Sequence, residues 1–424
     1  MRARGRVADC TDAVALEAAL QEHLTVYCGF DPTAPSLHMG SLATLLELRR
    51  FQQAGHRPIV LVGGATGLIG DPKLSGERVL NSRDQVRAWV DQMTAQVSQF
   101  VDLEGPNAAL VVDNYSWTSS LDALALLRDI GKHFSVNRML DREAVAARLA
   151  GEGISYTEFS YQILQAYDYV ELFRRYGCTL QIGGSDQWGN ITAGVDLIRR
   201  MCSQRVHALT MPLVTKADGT KYGKTESGTV WLDPELTSPW AFYQFWLNVA
   251  DADVAMLLRT FSLLPPDDVE ALILQANASP AARIGQRALA REVTELVHGA
   301  SACAGVVAAA AALFGGDART GADGLRAVDA RALTEALAEA PGRALTEQEK
   351  AEGVDVVCVL MAAGVVDSRG AARRAIAEGG AYVNNVRVTD ETATFAAADL
   401  IHGRWLIARR GKRTLGAVDA TGLA

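Results

Sequence analysis

The 424-residue chain is poor in the patterns that mark metal sites and disulfide scaffolds. Its six cysteines, at 10, 28, 178, 202, 303 and 358, form no C-x-x-C pair. That argues against a protein-bound zinc or a disulfide framework and fits a reducing, cytoplasmic setting. Residues 1–11 carry three arginines but no apolar core, so they do not read as a signal peptide. The longest uncharged run, 299–316, is mostly Ala and Gly; it reads as a packed helix, because Ala supplies too little apolar area for a membrane span. Positive charge is also in deficit: 41 Lys and Arg against 49 Asp and Glu give a formal net charge of −8. A polyanionic partner would need a local basic patch. Hydrophobic residues, at 49%, are ample for a large core, and the length suggests two to four domains.

Residues 24–28 read as a strand, 36–54 as a helix, 58–63 as a buried strand, 82–103 as a helix and 108–113 as a further strand. Apolar strands alternating with helices predict an α/β fold with a doubly wound parallel sheet, which binds ligands at the carboxyl ends of its strands. From 239 to 313 the pattern is helical, and 315–345, rich in Gly, Ala and Asp, reads as a linker or loose element. The stretch 354–413 reads as a compact unit: helices at 354–363 and 368–378, then short strands near 381–383 and 405–407. Within it, 369–413 hold nine Lys or Arg and four Asp or Glu, a net of +5 that leaves −13 on the rest of the chain. A basic module on an acidic body is the charge layout of a nucleic-acid binder. The expected boundaries are 1–238 for the α/β part, 239–330 for a helical part, 331–350 for a linker and 351–424 for the basic module.

The stretch "TAPSLHMGSL", 33–42, puts His38 at the mouth of a helix directly after the first strand. Helix N-termini attract phosphate, and the imidazole and the Thr33 hydroxyl add donors; Gly40 lets a flat ring approach the backbone. A single His at such a turn is equally at home in a purely structural role. "GGATGLIGDP", 63–72, has the glycine spacing of a dinucleotide site. It does not follow the first strand, no acidic residue closes a second strand about twenty residues on, and no Tyr-x-x-x-Lys pair occurs, so a dehydrogenase is excluded. "SYQILQAYD", 160–168, places Tyr161, Gln165 and Asp168 on one helix face. "LQIGGSDQWGN", 180–190, breaks from an apolar strand into glycines with Asp186 and Gln187 at the turn. "KADGTKYGKTESG", 216–228, reads as a mobile loop whose Lys221 and Lys224 can reach a phosphate chain.

Together these stretches resemble bacterial tyrosyl-tRNA synthetases, class I enzymes, over almost the whole chain. His38-Met39-Gly40-Ser41 stands where that family carries its HIGH signature, and Lys221-Tyr222-Gly223-Lys224-Thr225 where it carries KMSKS. The 354–413 module resembles an S4-type α+β RNA-binding domain, with Arg369, Arg373, Arg374 and Arg387 as its RNA contacts. The resemblance implies that Tyr27 and Asp168 bond a substrate phenol, and that Asp71, Tyr161 and Gln165 surround an α-ammonium with Gln187 beside the carboxylate. It implies that Cys28, Gly29, Asp31, His38, Gly40, Ser41, Gly183, Asp186, Leu213, Val214 and Lys224 hold ATP. Thr33, His38, Lys221, Lys224 and Thr225 would grip its phosphates. ATP would enter with Mg²⁺ as a substrate complex, tRNA(Tyr) would be the second substrate, and the chain would be a homodimer through 131–140. A site built to bond a hydroxyl rejects the analogue that lacks it, and tyrosyl enzymes are the usual illustration of that rule.

Two departures stand out. Ser41 replaces the family's usual second His, and "DPKLSGER", 71–78, is short and carries only Lys73 before Arg78. Two other readings keep the fold: a paralogue that activates tyrosine for another purpose or confers inhibitor resistance, and an inactive RNA-binding protein. The tryptophanyl branch is disfavoured because Tyr27 and Asp168 suit a phenol.

Overall fold

A computed structural model describes the chain except residues 73–75, 77–78, 152, 216–219, 221, 226–227, 316–320, 412–413 and 424; at 143–144 and 224–225 it describes the backbone alone. The chain divides into two compact units. One comprises 1–233 with 250–285, the other 234–249 with 286–424.

The first unit is built on a parallel sheet of β1 (Thr25–Phe30), β2 (Arg57–Val62), β3 (Leu110–Asp113), β4 (Cys178–Gly184) and β5 (His207–Met211), in the order β3-β2-β1-β4-β5. β1 and β2 are continuous apolar runs because both faces of a parallel sheet are covered. Val26, Tyr27, Ile59, Val60 and Val62 are each at most 1% exposed. Strand order reverses between β1 and β4, which pair directly with Tyr27 opposite Gln181. A crevice outside the carboxyl ends of these two strands is where such a sheet takes its ligand. The open edge of β5 is covered by the N-terminal segment: the Ala8 amide donates to the Thr210 carbonyl at 2.8 Å and the Thr210 amide to Asp9 at 2.9 Å.

The glycines of 63–70 make room for side chains, not for a phosphate. A Cβ on Gly63 would collide with the Asp31 carboxylate and the Thr66 hydroxyl, and one on Gly64 with the Asp113 carboxylate. Asp113, which ends β3, accepts from the Gly64 amide at 3.1 Å and the Tyr115 amide at 2.8 Å.

The second unit contains helices and an antiparallel sheet. Its sheet order is Val386–Arg387, Ala381–Val383, Trp405–Arg410, Thr414–Asp419. Against this sheet pack the helices Val356–Ala362 and Arg369–Ala377, whose Val359, Leu360, Ala372 and Ile376 join one core with Val383, Leu406 and Val418. The Ala-rich run forms the 15-residue helix Ala300–Phe314, and no described helix is long and apolar enough to cross a membrane.

The expected elements are present with shifted ends. The helix read at 36–54 is Met39–Gln53, and that read at 82–103 is Arg83–Val97. The stretch 315–345 departs from its reading as a linker. It carries helices Ala322–Arg326 and Ala330–Ala338, and the segment 331–350 also holds most of Glu347–Glu352. Leu325, Val328, Ala332, Leu333, Ala336 and Leu337 are all buried, at a helical spacing that the surrounding Gly, Ala and Asp obscure. The helix read at 354–363 begins two residues late, because Val354–Asp355 first pairs with Thr394–Phe395.

Gly64→Ala should force the Asp113 carboxylate off both backbone amides. The expected loss is about 1 kcal/mol, the net worth of a hydrogen bond that is only partly buried, read as a lower urea midpoint for the unit that holds the parallel sheet.

Candidate active site

The strand ends open into a cavity of about 650 Å³. Its wall includes Tyr27, Cys28 and Gly29 of β1, Gly183 of β4, and Asp31 and Thr33 beyond β1. His38, Gly40 and Ser41 come to it from the helix mouth, Asp71 from the segment after β2, Tyr161, Gln165 and Asp168 from the helix Tyr156–Tyr176, and Asp186, Gln187, Leu213 and Val214 from two turns. Thus the residues singled out in the first half of the sequence share one chamber. Of the phosphate-loop residues, Lys221 lies outside the described residues, as do the side chains of Lys224 and Thr225 and the Lys73 and Arg78 of 71–78.

The depth of the cavity is organised around Asp168, 1% exposed. Its two oxygens accept from Asn114 Nδ2 at 2.9 Å and Trp117 Nε1 at 2.8 Å. Burial nonetheless pushes its carboxyl up to about 7, against the lowering effect of those two bonds. Tyr27 Oη is buried with no hydrogen-bond partner among the described residues, and so is Gln165 Oε1. A buried polar atom without a partner is costly unless something else supplies the bond. A phenol hydroxyl lodged beside Asp168 can donate to the carboxylate and accept from Tyr27.

A second acidic group lies on the same side. Asp71 accepts from Gln187 Nε2 at 2.9 Å and Asn190 Nδ2 at 3.1 Å, while Asn190 also donates to Gln187 Oε1 at 2.9 Å. Behind them Arg142 donates to Asn190. The Tyr161 hydroxyl donates to Asp31 Oδ2 at 2.7 Å, and Thr66 donates to Asp31 Oδ1 at 2.7 Å. Asp31, expected on the nucleotide side, therefore braces Tyr161. The Tyr161 hydroxyl, its proton committed to Asp31, presents oxygen lone pairs. A pocket with Asp71, Asp31 and this oxygen suits an ammonium group.

At the other end His38 caps the helix Met39–Gln53 rather than lying in its first turn. Nδ1 accepts the Gly40 amide at 3.0 Å, so a neutral ring carries its proton on Nε2 and can donate there. A Cβ on Gly40 would come within 2.9 Å of the imidazole Cε1, so a side chain at 40 would displace the ring. The described residues between 222 and 232 reach the same helix. Lys224–Thr225 pairs with Gly228–Thr229 as a hairpin, Trp231 bridges His38, and the Leu232 amide donates to Leu37 at 2.9 Å. Gly223, at φ +83°, packs so closely on Met39 that a Cβ would clash with that side chain. Read as a free loop in the sequence, the described part is anchored at both ends, with the Tyr222 amide bonded to the Val214 carbonyl at 2.9 Å.

Asn114, Trp117, Asn190 and Arg142 were not assigned a role from the sequence. Asn114 had a signal: it follows β3 at its carboxyl end, where ligands and their supports gather. Gln181, likewise not singled out from the sequence, lines the cavity too; its signal was a polar residue inside the apolar strand β4. In the second unit Arg369, Arg373, Arg374 and Arg387 are exposed, and Arg373 pairs with Glu391 at 3.5 Å. Not every basic residue counted there faces outward. Arg409 is 1% exposed and bonds Asn385, and Arg404 pairs with Asp419 while stacking on Trp405.

Comparison with known proteins agrees with this geometry. Residues 19–315 match the family model described as tRNA synthetases class I (W and Y), and 334–417 match that of the tyrosine–tRNA ligase SYY-like C-terminal domain. The chain is 56% identical to the tyrosine–tRNA ligase of Streptomyces avermitilis over 99% of its own length and 97% of that protein's. It is 56% identical to the corresponding ligase of Kineococcus radiotolerans, covering 98% and 96%. Among solved structures, a C-terminally truncated mitochondrial tyrosyl-tRNA synthetase of Coccidioides posadasii superposes with a TM-score of 0.63 at 30% identity, over 72% of this chain and 88% of that one. Identity of this extent along nearly the whole chain, on a sheet whose strand reversal opens into such a cavity, makes the protein a member of the tyrosyl-tRNA synthetase family of class I ligases.

Proposed function

We propose that the cavity holds L-tyrosine and ATP end to end, joins them as tyrosyl-adenylate with release of pyrophosphate, and then passes the tyrosyl group to a hydroxyl of the terminal adenosine of tRNA(Tyr) with release of AMP. The observation that carries this reading is the pairing of Asp168, fixed by Asn114 and Trp117, with the unpartnered Tyr27 hydroxyl in the same pocket. Tyr27 and Asp168 take the phenol. Asp71, Tyr161 and Gln165 take the ammonium, and Gln187, bound to Asp71, sits where the carboxylate enters. The carboxylate attacks the α-phosphate, and the electron pair of the breaking bond goes to pyrophosphate. Positioning and charge stabilisation do most of the work in such a transfer.

The nucleotide lies across the mouth of the helix Met39–Gln53. Cys28, Gly29, Gly183 and Asp186 border the ribose, Leu213 and Val214 offer backbone to adenine, and Gly40 leaves room for the base. Thr33, His38, Lys221, Lys224 and Thr225 grip the phosphates. The cavity wall itself is acidic, with Asp31, Asp71, Asp168 and Asp186, so cations delivered by the 216–228 loop and Mg²⁺ carried by ATP balance the triphosphate.

The remaining assignments follow the same reading. The unit 1–233 with 250–285 is the catalytic one, and within the other unit 351–424 binds RNA through Arg369, Arg373, Arg374 and Arg387. Exposed Val136 within 131–140, with exposed Leu124 and Leu127 shortly before it in the sequence, supplies apolar groups that a homodimer would bury. The enzyme works in the cytoplasm.

Tyrosine-dependent ATP–pyrophosphate exchange, run across the twenty amino acids and followed by charging of tRNA(Tyr), tests the reading as a whole. Exchange with tryptophan, or with no amino acid, overturns it. The Asp168 carboxyl supplies a pH test. Its pKa of about 7 in the free site falls when a phenol donates to the carboxylate, so tyrosine binding releases a proton. Tyrosine affinity should strengthen as pH rises towards 7, by at most about tenfold per unit, and level off above it. Calorimetry in buffers of different ionisation heat measures the proton directly, and phenylalanine should show no such release. Lys224→Ala should slow adenylate formation in single-turnover kinetics far more than it weakens tyrosine binding; equal effects would remove Lys224 from the phosphate grip. Ser41→His should shift the ATP dependence of adenylate formation by about 1 kcal/mol, the scale of one neutral hydrogen bond, and an unchanged dependence would mean that residue 41 does not touch ATP.

A further inference from the structure

A buried ion pair outside both signature stretches joins the two ends of the nucleotide side. Arg6 is 4% exposed and forms part of the cavity wall. Its Nε donates to Glu47 Oε1 at 3.1 Å, and its Nη1 donates to the Pro212 carbonyl at 3.1 Å. Glu47 is fully buried on the helix Met39–Gln53 and also pairs with Arg50 Nη1 at 2.8 Å. Arg50 in turn donates to the carbonyls of Thr260 at 2.7 Å and Ser262 at 2.9 Å. The segment that presents Arg6 is fixed to β5 by the Ala8 and Thr210 amides and by the Thr210 hydroxyl, which donates to Asp9 at 3.0 Å.

Burying two charges seldom stabilises a fold more than apolar packing of the same volume. Stability alone therefore does not account for the pair. A guanidinium is a rigid planar fork, so two of its donors hold their acceptors at a fixed spacing and in one plane. Here one acceptor belongs to the helix that starts at His38. The other is the carbonyl immediately before Leu213 and Val214. One end of this strut is the helix whose mouth faces the phosphates, and the other is the backbone offered to adenine.

We propose that Arg6 is a positioning residue for ATP, holding the Pro212–Val214 backbone at a set distance from the helix Met39–Gln53 so that base and phosphates fit at once. This deepens the functional reading above and rests on it for the identity of the nucleotide. Arg6 acts through Pro212 and Glu47 and touches none of the reacting atoms. Tyrosine is held by other elements, so its binding is insulated from the strut.

Arg6→Leu removes the bond to Pro212 and leaves Glu47 paired with Arg50. In tyrosine-dependent ATP–pyrophosphate exchange its KM for ATP should rise by about five- to twentyfold, with tyrosine Kd, by equilibrium titration, within about twofold of wild type. A folded variant with unchanged KM for ATP overturns the proposal, and so does a parallel loss of tyrosine affinity. Arg6→Lys keeps the charge beside Glu47 but loses the fork. It should give a smaller rise in the same direction, and it decides the matter if Arg6→Leu does not fold: a wild-type KM for ATP would refute the strut. Titration with ATP alone separates the two levels. A wild-type chain without tyrosine-dependent exchange sinks the functional reading, while the ATP affinity of Arg6→Leu, weaker or equal, still judges the strut.

Discussion

Negative charge withdrawn from water, wholly at Asp168 and in part at Asp31, Asp71 and Asp113, is the constraint on which this site is built. Asp31, Asp71 and Asp168 stand on one cavity wall, and Asp113 lies just behind Gly64. To the extent that each loses water, the protein must supply donors in its place. Asp168 uses an amide and an indole, Asp71 two amides, Asp31 a phenol and a hydroxyl, Asp113 two backbone N–H groups. These donors come from distant parts of the chain, so satisfying the carboxylates locks the elements that carry them. Gly63 and Gly64 belong to the same scheme, because only bare backbone lets Asp31 and Asp113 come close enough. A pocket that has solved this problem is prepared for a ligand with an ammonium at one point and a hydroxyl donor at another.

The alternating strands and helices of the parallel sheet were legible in the sequence, because apolar runs and helical periodicity are local properties. The gathering of Tyr27, Asp71, Tyr161, Gln165, Asp168, Asp186 and Gln187 was implied by the family resemblance and not by strand ends alone, since Tyr161, Gln165 and Asp168 lie on the helix Tyr156–Tyr176. The supports were not legible. Trp117 and Asp168 are 51 positions apart, and Asn114 and Asp168 are 54 apart, so their meeting is a consequence of the assembled fold. His38 was placed correctly at the helix mouth, but its service as the cap needed the backbone to be seen. The helices within 315–345 were missed because Ala and Gly dilute a periodic pattern that burial of Leu325, Leu333 and Leu337 makes plain. Counting charge overstated the exposed basic surface for a related reason. A guanidinium such as that of Arg409 can be spent inside the fold, bonding an asparagine.

The two units differ in the chemistry they display. The sheet-bearing unit turns carboxylates inward to a small chamber. The other carries an exposed row of arginines on the helix Arg369–Ala377, whose opposite face, with Ala372, Ala375 and Ile376, is buried. An amphipathic helix of this kind separates its packing duty from its surface charge, so the basic face can change without disturbing the core.

The pairing of β1 with β4 bears on the order in which the chain becomes structured. β1 is the central strand, and the contact of Cys178 with Thr25 spans 153 positions. During synthesis β1, β2 and β3 emerge before β4, so the second edge of β1 has no partner until β4 is made. An apolar strand with an unpaired edge invites association with other chains. Contacts of such long range also close slowly. The nascent chain therefore passes through a stage in which its future ligand crevice is an open sheet edge, and the strand reversal that creates the binding site is also the feature that exposes the growing polypeptide to mispairing.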